Sequence, residues 1–229
     1  MSPTTPGSSG PPVLRFLFDY LSPYAWLAWR RLPPIASRHG WKVEPVPVLL
    51  AGFLGHYGHK GPAEIAPKRV YVYKDCLRQG ALHGVPVVPP PSHPFNPLLA
   101  LRVSGLDLGE EARGKLVDAL FAAAWGGDDR HGRDLSDPAV VAAIATSVGL
   151  DGADLVRQAG LPHNKGRLRA DTDAAIAAGV FGVPSMLAGG ELFWGTDSLE
   201  HLDRYLAGHD PVDPALLERW RDLPASAGR

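Results

Sequence analysis

One stretch constrains the fold more than any other: the apolar run VLRFLF, Val13 to Phe18, followed within four residues by Ser22-Pro23. Six residues with a single charge at Arg15 suit a short strand buried on both faces. A serine before a proline suits the cap and first position of a helix. That helix reads from Pro23 to about Gly40, where RHG ends it, and a second extended stretch, WKVEPVPVLL, runs from Trp41 to Leu50. Strand, helix and strand in this order require a parallel pair joined by a crossover. Pro33-Pro34 removes hydrogen bonds from the helix interior and predicts a kink or a break into two pieces. The prolines of the second strand suit a sheet edge.

Beyond this opening the pattern changes twice. From about Ala63 to Ala178 the stretches AEIAPKRVYVYKDCLRQGALHG, NPLLALRVSG, EEARGKLVDALFAAAW, DPAVVAAIATSVG and GRLRADTDAAIAAG place apolar residues at helical spacing, most with a glycine stop. The proline-rich link VPVVPPPSHPF separates the first two. Gly182 to Gly195 is then a hairpin signal centred on Gly189-Gly190, and Thr196 to Ala207 reads as a last helix with Thr196 as cap. The order is βαβ, a helical block, then ββα. We expect one α/β domain made of residues 13–62 and 179–207, with 63–178 as an all-helical insertion. A disordered tail at 1–12 and a polar, proline-rich tail at 208–229 flank it.

Charge and cysteine usage narrow the functional classes. With 23 basic and 24 acidic side chains the net charge is −1, which does not suit a phosphate-neutralising surface, so no nucleic-acid partner is expected. No apolar run approaches the roughly 20 residues of a membrane span, and the first twelve residues have neither Lys nor Arg nor an apolar core, so no signal peptide is read there. A single cysteine, Cys76, forms no internal disulfide and fits a reducing, cytoplasmic setting.

Few residues offer chemistry. Ser22 is a helix cap, or a hydroxyl placed where a helix N-terminus favours an anion such as a bound thiolate. Val183-Pro184, entering the hairpin, is a candidate cis peptide. Thr196 and Asp197 are capping residues, or an acceptor pair for a ligand ammonium group. Lys68 is a solvated cation, or a partner for a carboxylate. His56 and His59 lie three apart beside Gly55 and Gly58, which argue against one helix presenting both; with no third ligand evident, no metal site is expected. Cys76 packs against the core or faces a groove and has no evident histidine partner.

Taken in order, FDYLSPYAWLA, PVLLAGFLGHYGHKGPAEIAPKRVYVYKDCLR, HPFNPLLALR and GVFGVPSMLAGGELFWGTDSLEHL resemble the blocks of the 2-hydroxychromene-2-carboxylate isomerase family. That family is related to kappa-class glutathione transferases and, more distantly, to DsbA. The likeness covers about Val13 to Ala207 and implies a thioredoxin-like βαβ…ββα domain with a large helical insertion. It also implies glutathione, or another low-molecular-weight thiol, as cofactor. Ser22, with Pro23 and Tyr24, would hold the thiolate; Val183, before a cis Pro184, would pair through its backbone with the cysteinyl unit; Thr196 and Asp197 would hold the γ-glutamyl end. Lys68 and His59 would face a small aromatic carboxylate substrate, and the protein would be a homodimer.

The implied reaction interconverts geometric isomers by reversible thiol addition. Conjugation of electrophiles, as in the kappa class, and non-catalytic binding of a thiol or aromatic ligand are the alternatives. Disulfide chemistry lacks its Cys-X-X-Cys, for which Ser22-Pro23-Tyr24-Ala25 stands. Two departures from the family pattern bear on specificity: His59 where asparagine is common, and Ser198 where arginine often follows the aspartate.

Overall fold

The structure, a computed structural model, describes residues 10–127, 132–221 and 223–224. Residues 1–9 of the expected N-terminal tail, and 222 and 225–229 of the C-terminal one, lie outside the described residues. The chain opens with β1 (Val13–Phe18), α1 (Pro23–Arg38), β2 (Lys42–Pro47) and α2 (Leu50–Tyr57). A 3-10 turn at Pro62–Glu64 leads into six consecutive helices: α3 (Ala66–His83), α4 (Leu98–Ser104), α5 (Glu110–Trp125), α6 (Pro138–Ser147), α7 (Gly152–Ala159) and α8 (Pro162–Ala177). The hairpin β3 (Ser185–Ala188) and β4 (Glu191–Trp194) follows, then α9 (Leu199–Leu206) and α10 (Pro214–Arg221). No helix among the described residues is long and apolar enough to cross a membrane.

The strands form one mixed sheet in the order β2-β1-β3-β4. β1 runs parallel to β2 and antiparallel to β3, so the crossover read from the sequence is present and β1 is central. The alternation of side chains along β1 divides the interior in two. Leu14, Phe16 and Phe18 join the larger core with α1, α4 and α5, whereas Leu17 joins a second cluster with Val46, Val48, Phe53 and Ala175 under α2 and α8. The hairpin turns at Gly189-Gly190, whose φ values of 58° and 93° require residues without a Cβ penalty.

Three elements differ from the sequence reading. Helix α1 is continuous through Pro33-Pro34. Both prolines lie on the exposed face, where water can serve the carbonyls they leave unbonded, while Ala25, Trp26, Leu27, Ala28, Leu32 and Ala36 are buried on the other faces. Burial of that surface outweighs the lost helical bonds. The second strand ends at Pro47, and Leu50 begins α2. A short helix, α10, interrupts the expected C-terminal tail.

The helices between α2 and β3 are joined to the sheet by an aromatic cluster. Phe121 of α5 packs at 5.2 Å between centroids from Phe18 and at 4.7 Å, edge-on, from Tyr20. Phe18 itself stacks on Phe16 and meets Tyr20 edge-on. Phe121→Ala would empty a fully buried ring site at this junction. We expect it to cost about 3–5 kcal/mol, read as a lowered midpoint of urea unfolding at unchanged slope.

Candidate functional site

The carboxyl end of β1 leads to Ser22 and lies across from Val183-Pro184. Ser22 caps α1: its hydroxyl oxygen accepts the Ala25 N–H at 3.2 Å, and its own N–H donates to the Asp19 carbonyl at 3.0 Å. The side chain is nearly buried, with 7% of the residue exposed. Because the cap uses only an oxygen lone pair, the hydroxyl proton remains available to donate to a ligand. The antiparallel register pairs Leu17 with Ser185. Continued by two residues, it sets Pro184 across from Phe18 and Val183 across from Asp19. The Val183-Pro184 bond is cis, as expected.

The turn that carries Ser22 is held from several sides. The Asp19 carboxylate accepts the N–H of Leu21 at 3.0 Å and that of Leu50, the first residue of α2, at 2.8 Å. The Tyr20 carbonyl accepts the Trp125 indole N–H at 2.7 Å, and the Tyr20 hydroxyl meets Ser104 Oγ at 2.7 Å. His93 Nε2 lies 2.9 Å from the Leu21 carbonyl, which can only accept, so that nitrogen carries the proton. The His93 ring packs edge-on against both Tyr73 and Trp125. Burial, followed by the opposing bond to Leu21 and the charge of Arg69, holds its pKa below the usual histidine value. Sequence reading missed Asp19, His93 and Trp125, because each acts through a main-chain group distant in sequence or hidden in a turn.

Tyr24, one turn into α1, donates to Asp75 Oδ2 of α3 at 2.9 Å. Its neighbour Cys76 is fully buried. Burial, and then the Asp75 charge, push the Cys76 thiol up to about 12, an effect partly offset by the Tyr24 hydroxyl. Cys76 therefore stays a thiol at neutral pH and is no nucleophile.

Lys68 precedes Asp75 by seven residues, two helical turns, and so shares the α3 face that meets Tyr24. It is exposed, and no ion pair among the described residues engages it. His59 is placed apart. It follows Gly58, the left-handed end of α2, and stacks on Tyr57 at 6.2 Å, whose hydroxyl donates to the Val180 carbonyl. No described contact joins His59 to Ser22 or Lys68. His56 is the last-turn residue of α2, so one helix does not present both imidazoles.

The Gly195 N–H donates to the Pro184 carbonyl at 2.9 Å, which fixes Gly195-Thr196-Asp197 beside the cis bond. Thr196 is buried and Asp197 exposed, its carboxylate folded back over Gly195. Thr196 does not cap α9. That helix starts at Leu199 with Ser198 as the capping position and no side-chain cap bond. The positive φ of Gly195, 86°, turns the chain so that Thr196 belongs to the preceding bend. Ser198 Oγ donates to the Gly195 carbonyl and closes the same bend.

A sheet with this order, a helix starting just past its central strand and a cis proline opposite that start define a thioredoxin-type scaffold. The family model described as the DSBA-like thioredoxin domain matches residues 13–207, and the chain belongs to that family. Within it the chain resembles 2-hydroxychromene-2-carboxylate isomerases. It is 32% identical to the one of Sphingobium xenophagum, over 85% of this chain and 97% of that protein. Identity to glutathione S-transferase kappa 1 of Rattus norvegicus is 28%, over 91% of this chain and 98% of the relative. A solved 2-hydroxychromene-2-carboxylate isomerase superposes with a TM-score of 0.78 at 26% identity, covering 93% of this chain and all of that one.

Asp19 gives the site a pH dependence. Burial raises its pKa to about 6, against the lowering effect of the Leu21 and Leu50 N–H groups. A carboxyl raised on folding contributes stability that is complete below its unfolded value, near 4, and is lost as pH rises through about 6. A displacement of that size corresponds to about 3 kcal/mol. We expect thermal melts to fall between pH 4.5 and 7.5 in the wild type and this component to vanish in Asp19→Asn.

Proposed function

We propose that the protein is a glutathione-dependent isomerase of small aromatic 2-oxo or 2-hydroxy acids, of the 2-hydroxychromene-2-carboxylate to trans-o-hydroxybenzylidenepyruvate type. One observation carries the reading: a donor hydroxyl, Ser22, at the start of α1 and across from Val183-Pro184, in a chain similar along nearly its whole length to an isomerase of that name. The residues present fit a thiol peptide. The Ser22 proton is free to donate, the positive end of α1 favours an anion, and no described hydrogen bond engages the main chain of Val183. An extended cysteinyl unit can therefore pair there.

When bound, glutathione supplies reversible thiolate addition to a conjugated carbon, which turns a double bond into a rotatable single bond. The protein's own part is to hold and orient. Ser22 donates to the sulfur, and the helix end lowers the thiol pKa by up to about one unit, since a terminal interaction is worth roughly 0.3–1 kcal/mol when exposed and more when buried. Lys68 offers its ammonium to the substrate carboxylate and developing enolate. His59 would be a second donor to that carboxylate or enolate. Thr196 and Asp197 take the γ-glutamyl end. Pro23 and Tyr24 shape the wall beside the sulfur.

The likeness to a kappa-class transferase supports a second reading, in which the same thiolate conjugates an electrophile and the adduct leaves. The proposal includes a cytoplasmic location, where the single thiol and glutathione stay reduced. It also includes a homodimer, supported by the exposed Val70, Tyr71, Leu77 and Leu82 along α3.

The test offers the protein glutathione with either a benzylidenepyruvate or a chlorodinitrobenzene acceptor. Turnover of the first without a stable adduct supports the isomerase, and adduct from the second alone supports the transferase. Binding without turnover of either would leave a binding protein. In Ser22→Ala we expect kcat/KM to fall about tenfold to a hundredfold, the loss of one charge-assisted hydrogen bond, with a smaller loss of glutathione affinity. Cys76→Ser should keep the rate.

A further inference from the structure

Arg31 lies on the third turn of α1, on the side of the Gly195–Asp197 bend. Its only described hydrogen bond runs from Nη1 to the Thr196 carbonyl and is long, 3.4 Å. The guanidinium is half-buried, and that desolvation holds its pKa below the usual arginine value, opposed by the charge of Glu200 in the first turn of α9. No ion pair among the described residues engages it. A guanidinium presents five N–H donors in a planar fork suited to a carboxylate. Glu200 acts on it by charge alone, without an ion pair, so most of those donors are open to an anionic ligand.

The surroundings specify the anion. Thr196, whose carbonyl Arg31 touches, is followed by Asp197, an exposed carboxylate. Cation and anion thus flank one peptide unit, the arrangement complementary to an amino-acid head group, with its carboxylate toward Arg31 and its ammonium toward Asp197. Ser198 offers no alternative charge, and its hydroxyl is engaged by the Gly195 carbonyl. Distance agrees as well. From Pro23 to Arg31 is eight residues, about 12 Å of helical rise. Long helical side chains lean toward the N-terminus, which shortens the reach to Ser22 to roughly 10 Å. Standard bond lengths give about that span, roughly 9–10 Å, from the sulfur of a γ-glutamyl-cysteinyl unit to its α-carboxylate.

We propose that Arg31 binds the α-carboxylate of the γ-glutamyl end of a thiol peptide and makes that head group part of what the site requires. The inference rests on the thiol-peptide reading above. It converts a cation on α1 into a ligand residue, so that the helix holds its ligand at both the sulfur and the amino-acid end.

Calorimetric titration separates the two claims. The ligands are glutathione and its analogue 4-aminobutyryl-cysteinyl-glycine, which keeps the amine and thiol but lacks the α-carboxylate. The proteins are the wild type and Arg31→Met, whose stem fills similar space, with a thermal melt to show the variant folded. We expect the wild type to bind the analogue about tenfold to a hundredfold more weakly than glutathione. Arg31→Met should lose a similar factor for glutathione and bind the analogue as the wild type does. Equal affinity of the wild type for both ligands overturns the proposal without using a variant. Equal loss of both ligands in Arg31→Met assigns Arg31 a structural role and also overturns it. If the wild type binds neither ligand, the thiol-peptide reading itself fails, and the proposal with it.

Discussion

Everything at the candidate site depends on how one buried turn satisfies its main chain. Asp19 to Ser22 passes from β1 to α1 in the protein interior, where an unpaired N–H or C=O costs free energy comparable to a lost hydrogen bond. Regular structure serves only its two ends. Side chains serve three more of its groups: the Asp19 carboxylate takes the Leu21 N–H, the Trp125 indole the Tyr20 carbonyl, and His93 the Leu21 carbonyl. Two of those donors come from the stretch between β2 and β3. The helical segment therefore takes part in building the turn itself. Without its indole and imidazole, the turn that aims Ser22 could not remain buried in this shape.

The same burial settles the charge of the site. Asp19 and Cys76 are pushed up, Tyr24 is pushed up, and His93 is pushed down, all of them first by desolvation. Each is thereby moved toward its neutral form. Asp19 alone ionises near neutrality, and its charge is directed onto two backbone N–H groups. A ligand thiolate at Ser22 would then meet a helix N-terminus and a hydroxyl proton, with few competing charges close by. Cations stand farther out, at Lys68 and Arg31, which suits a ligand and substrate whose carboxylates lie at their extremities.

How much of this the sequence discloses depends on how local each determinant is. The opening strand-helix-strand follows from short-range pattern, and so does the hairpin, because Gly189-Gly190 is among the few dipeptides that can adopt its turn. The Ser22 cap is equally local. What escapes is whatever one residue does for a distant one. Nothing near His93 marks it as a partner of Leu21, and Asp19 reads as the end of a strand, although it serves the first N–H of α2. The continuous α1 shows tertiary burial overriding two prolines that local rules treat as breakers. Thr196 is the reverse case, a good capping residue displaced because Gly195 redirects the chain. His59 and Lys68 share a sequence block, yet folding carries them to different surroundings.

The prolines of β2 have a consequence for how copies of the chain can meet. Lys42 and Val48 turn their N–H groups inward, to the carbonyls of Pro12 and Phe18. By alternation, positions 43, 45 and 47 turn outward, along the free border of the sheet. Two of those three are proline and have no hydrogen to give. A second strand approaching this border would find acceptors without matching donors, so growth of the sheet from molecule to molecule is discouraged there. Any contact between copies at this border is left to side-chain surfaces, where shape can be selective, rather than to main-chain ladders, which join almost any sequence.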